Sequence, residues 1–72
     1  MKKASAIVII SVIHDSKQGL NLRLSMEGIP PKYYTVELFD HKRGIYRQHF
    51  TFSDYGEAKE TFNELQRVYN LH

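Results

Sequence analysis

The chain contains no cysteine. That absence removes disulfides, thiolate zinc sites, iron–sulfur clusters and cysteine nucleophiles, and it suits a reducing, cytoplasmic setting. Proline occurs only twice, and the four glycines, at 19, 28, 44 and 56, stand far apart. No phosphate-cradling glycine loop can be assembled from them. Charge of one sign is scarce as well, since ten Lys and Arg against eight Asp and Glu leave a net +2. Nucleic-acid binders are usually more lopsided, so such a partner is permitted without being required. Long hydrophobic runs are missing too. The apolar stretch from Ala6 to Ile13 is far short of the roughly 20 residues a membrane helix needs. Lys2 and Lys3 before it resemble the start of a secretory signal. Against that, no small-x-small cleavage site follows in His14-Asp15-Ser16-Lys17, and Ile and Val stand where signal cores favour Leu and Ala. The stretch reads as a buried strand, and the protein as one that does not enter a membrane.

What is present is ordinary globular material. Hydrophobic residues are 42% and charged residues 25% of the 72, which predicts one folded domain over 1–72 with residues 1–3 flexible. A chain this short buries only about 60% of the surface its unfolded form exposes. Small domains usually compensate with disulfides, a metal or a partner chain. With disulfides excluded, good packing or self-association must supply the difference.

The hydrophobic spacing sets the elements. Residues 4–14 are dominated by β-branched side chains, which favour strands. Asp15 to Gly19 is a polar hairpin loop. Leu20, Leu22, Leu24 and Met26 then alternate with polar residues in strict period two, giving one buried and one wet face. Glu27 to Lys32 holds both prolines and reads as a wider connection. Alternation resumes over 33–40, with Tyr34, Val36 and Leu38 inward. After the charged turn 41–44 it continues over 45–52, with Tyr46, Phe50 and Phe52 inward. Beyond Phe52 the period lengthens. Asp54 with Glu57 resembles a capping box, and Tyr55, Ala58, Phe62, Leu65 and Tyr69 form one stripe, with Val68 beside it. A helix is expected over about 54–69. The fold class is therefore α+β, a small antiparallel sheet of β-β-β-β-α order with one C-terminal amphipathic helix packed on one face.

Residues able to carry chemistry are few. His14, His41, His49 and His72 match no compact metal spacing, so no metal ligand is assigned. Ser, His and Asp occur without a nucleophile-elbow pattern or any sign of an enclosed pocket. No catalytic residue and no cofactor is expected, and the protein is read as a non-enzyme. Two surfaces remain. Lys42, Arg43, Arg47 and His49 form a basic cluster in the last hairpin, with Arg47 and His49 placed on the sheet face away from the helix. Arginine beside aromatics on an open sheet suits nucleic acid, although Glu37 lies in the middle of that patch. The first strand is apolar on both sides, and such a strand is normally buried on both. Period two sets Ile7, Ile9 and Ile13 against Val8, Ile10 and Val12, and one helix cannot cover both sets. Ile7, Ile9 and Ile13, flanked by Tyr33 and Phe39, are expected to meet a second copy in a homodimer. The reading is a non-catalytic interaction protein that self-associates through its sheet or binds another protein. The alternative is a small nucleic-acid-binding module using the 39–49 hairpin.

Overall fold

The computed structural model describes residues 7–28 and 33–72. Four strands precede one helix: β1 (Ile7–Asp15), β2 (Leu20–Glu27), β3 (Tyr33–Asp40), β4 (Ile45–Phe52) and α1 (Tyr55–Val68). The strands form one antiparallel sheet in the order β1-β2-β3-β4. The meander follows from short connections, which leave successive strands no partner but each other. The expected flexible start at 1–3, the first residues of the expected strand at 4–6, and the proline-bearing connection at 29–32 lie outside the described residues.

The core is the layer between sheet and helix. Leu20, Leu22 and Leu24 of β2 and Val36 and Leu38 of β3 meet Ala58, Phe62 and Leu65 of α1. Ile13, Tyr34, Phe52 and Tyr69 close its rim. α1 lies over β2, β3 and β4 and leaves β1 outside its footprint. Asp54 caps the helix by accepting a hydrogen bond from the Glu57 amide at 2.9 Å. At the other end Asn70, in the left-handed region at φ 54°, lets the chain turn back. The Asn70 and Leu71 amides donate to the carbonyls of Arg67 and Gln66, a Schellman closure. That closure seats Leu71 in the core, a residue the helical stripe did not reach. Among the described residues no helix is long and apolar enough to cross a membrane.

Two β-bulges change which side chains share a face. Ile9 pairs with Ser25 while Ser11 pairs with Leu24, so β1 carries one extra residue between them. Directly paired residues of neighbouring strands point to the same face. Ile13, paired with Leu22, therefore packs against the core instead of joining Ile7 and Ile9. Val12, paired with Arg23, takes its place on the uncovered face. In β4, Leu38 pairs with Gln48 but Phe39 with Tyr46. Tyr46, expected inward, stands on the uncovered face and is 56% exposed. Phe50 faces the helix side opposite Val36 but sits at the rim, exposed beside Glu60 and Glu64.

The hairpin turns between β1 and β2 and between β3 and β4 meet at one end of the sheet. The His41 amide donates to the Gly19 carbonyl at 2.7 Å, and Lys42 Nζ donates to the Lys17 carbonyl at 3.2 Å. Gly19 holds φ 71°, and a Cβ there would come within 2.7 Å of the Lys42 side chain. Gln18 reaches from the first turn to the end of the helix, its amide donating to the carbonyls of Tyr69 (2.9 Å) and Asn70 (3.2 Å).

Candidate interaction surfaces

The sheet face opposite α1 is built from cross-strand rows. The register aligns His14, Asn21, Phe39 and Tyr46 in one row, and Val12, Arg23, Glu37 and His49 in the next. Ile9, Ser25, Thr35 and Thr51 form a third, and Ile7, Glu27 and Tyr33 a fourth. The face thus has an aliphatic margin on β1, a polar centre and a ring-bearing row at the hairpin end.

At the centre, Arg23 donates twice to Glu37 Oε1, from Nε at 3.1 Å and from Nη2 at 2.6 Å. His49 Nε2 lies 3.4 Å from Glu37 Oε2. Glu37 is thereby engaged from both neighbouring strands. Arg47, the extra residue of the β4 bulge, has Nη1 3.2 Å from Asp40 Oδ2. Of the four residues expected to meet nucleic acid, Arg47 and His49 are thus set against carboxylates, while Lys42 and Arg43 stand at the turn with no carboxylate partner among the described residues.

Both turn aspartates are buried in the turns they organise. Asp15 accepts from the Gln18 amide and side chain, each at 3.1 Å, and from the His72 amide at 3.4 Å. The Gln18 amide above all holds its carboxyl below the ordinary value, against the opposing effect of burial. Asp40 accepts from the amides of Lys42 and Arg43 and from Arg47. Burial alone would raise the Asp40 carboxyl, but those donors outweigh it and the net shift is downward.

Four ring contacts run along the same end. His14 and His41 lie 5.3 Å apart between centroids, His41 and Phe39 5.0 Å, Phe39 and Tyr46 4.9 Å, and Tyr46 and His49 6.1 Å, all edge to face. A shallow cleft of about 130 Å³ opens beside Phe39 and Tyr46, lined also by Asn21, Arg23 and Glu37. A larger notch of about 640 Å³ lies by the first turn, but its walls are polar, among them His14, Lys17, Gln18, Asn70 and His72. Neither has the apolar lining of a small-molecule pocket. Among the described residues no three His, Asp or Glu side chains are grouped to hold a metal ion.

The apolar margin is the edge strand itself. Ile7, Ile9 and Val12 are each 54% exposed, and Val8 and Ile10 are also exposed. Apolar on both sides, this strand reads from its sequence as buried on both faces; its edge position beyond the helix leaves it open among the described residues. Tyr33 is exposed at the far row, whereas Phe39 is half-buried among the rings. Alternation along single strands does not gather His14, His41 and Tyr46; the strand order does, because a meander brings its first and third turns to one end. Comparison with protein-family models, curated proteins and solved structures yields no match.

Proposed function

We propose that this protein is a non-catalytic interaction module that pairs with a second copy of itself through the β1 edge. The supporting observation is an edge strand with five exposed aliphatics and no charged residue between Ile7 and Ile13. An open edge offers unpaired amides and carbonyls to any extended chain. The other edge, β4, carries Arg47 and His49 and a bulge, the usual devices against such pairing. β1 has its bulge but no charge on that run.

A two-fold axis suits this edge because a strand meeting its own copy across such an axis runs antiparallel to it. Each exposed aliphatic then finds aliphatics opposite, and no like charges are brought together along Ile7 to Ile13. Burying such a side chain fully contributes about 1.5–3 kcal/mol, and those here begin roughly half-buried. Several of them, with a shared ladder, support a concentration-dependent dimer. Ile7, Ile9 and Val12 would pack above the joined sheet, while Ile13 keeps its place in the core. A non-catalytic role accords with the polar residues lining the two clefts near the hairpin turns and with an open-face carboxylate engaged by neighbouring side chains.

Sedimentation across micromolar to millimolar concentration tests the proposal. The wild type should shift from monomer towards dimer, and Ile9→Glu, a change at an exposed position, should stay folded and monomeric. A wild type that remains strictly monomeric at millimolar concentration would sink the dimer.

A further inference from the structure

We infer that the hairpin end of the open sheet face is a binding site for single-stranded nucleic acid. The strand would cross the sheet transversely along the row from His14 to Tyr46. The inference concerns a different surface from the β1 edge. Antiparallel pairing of two β1 strands places the two hairpin ends far apart, so each copy keeps its own site.

Charge is the first argument. The chain's eight acidic residues are unevenly spread. Asp54, Glu57, Glu60 and Glu64 lie on α1 or its cap, and Glu27 lies at the opposite end of β2. The two acids at the hairpin end, Asp15 and Asp40, are turned inward onto backbone amides. Lys17, Lys42 and Arg43 are exposed there, and none is paired with a carboxylate among the described residues. The turns that carry them are locked together by the His41–Gly19 and Lys42–Lys17 hydrogen bonds. A chain of modest net charge therefore presents a local cluster of three exposed cations on two turns tied to each other, which is the footprint a phosphate backbone requires.

The rings are the second argument. A cluster of cations alone would serve to keep a hairpin tip soluble. Here it borders His14, Phe39, His41 and Tyr46, linked ring to ring across the sheet. Tyr46 and the histidines are exposed, with Phe39 half-buried between them. Exposed aromatic rings beside a basic track are what unpaired bases stack upon. Asn21 lines the adjoining cleft, where its side-chain amide would meet base edges. Glu37, the feature against phosphate binding, is set against Arg23 and His49. A duplex keeps its bases stacked inside and cannot use the rings, so the site favours a single strand.

Fluorescence anisotropy with a labelled oligothymidylate of about ten nucleotides tests this at low salt. Wild-type protein should bind it, and bind a duplex of the same length more weakly. Tyr46→Ala should weaken binding by roughly 5-fold or more, the loss of one stacked base. Lys17→Ala and Arg43→Ala should each flatten the salt dependence by about 0.7 in log–log slope. All three positions are exposed, so the variants should fold, which circular dichroism checks. Absence of binding at low salt, duplex binding as tight as the single strand, or full affinity in Tyr46→Ala would each overturn the inference.

Discussion

Asp15 and Asp40 do the same work in two turns, each collecting amides from the residues that follow it. Their carboxyls lie below the ordinary 3.8 in the folded protein. The unfolded chain therefore takes up these protons first as pH falls. The stability the two groups supply is complete above the unfolded value, near 3.8, and is lost as pH drops through the depressed folded values. Urea midpoints should hold steady from neutrality to mildly acid pH and then fall. Asp15→Asn should be less stable than wild type at neutral pH, with a shallower fall in acid. Gly19 is a second point of leverage. Alanine there would face both the left-handed backbone and the Lys42 side chain, a cost of about 1–2 kcal/mol. Chemical denaturation would read it directly.

The elements were legible because their periods differ. Period two marks three strands, β-branched content marks the first, and the Asp54–Glu57 pair marks the helix start to within a residue. The bulges were not legible. Ile9-Ile10-Ser11 lies in a run that is β-branched but for Ser11, where one extra residue leaves no compositional mark, yet it exchanges the faces of everything beyond it. The extra residue of β1 puts Ile13 out of phase with Ile7 and Ile9, and Arg47, the extra residue of β4, puts Tyr46 out of phase with Phe50 and Phe52. Stability measurements can separate the two phases of β1. In dilute solution Ile13→Ala should cost about 2 kcal/mol or more, whereas Val12→Ala should stay within about 0.5 kcal/mol. Equal effects would contradict the bulge. Phe62, buried at the middle of α1, should cost roughly 3–5 kcal/mol when cut to alanine. That loss would unfold much of the population of so small a domain.

The molecule is a two-layer slab, 41 × 28 × 15 Å in its Cα extents, with a helix on one side and, among the described residues, nothing over the other. The open face and its segregated charge could be read only in part from the sequence. Alternation assigned Glu37, His49 and Tyr33 to that face, but the inward turning of Asp15 and Asp40 depends on turn geometry that no periodicity encodes. A dimer joined at β1 should melt at a temperature that rises with protein concentration, and Ile9→Glu should remove that dependence. The Gln18 clasp carries a consequence for motion. A side chain in the first turn is bonded to carbonyls 51 and 52 residues further along, and Leu71 is seated in the core beside that bond. The helix terminus, ordinarily the first segment to fray, cannot loosen here without also freeing the turn. Amide hydrogens of Gly19, Tyr69, Asn70 and Leu71 should accordingly exchange with solvent as one cooperative unit. Gln18→Ala should split that unit and speed the exchange of the last three.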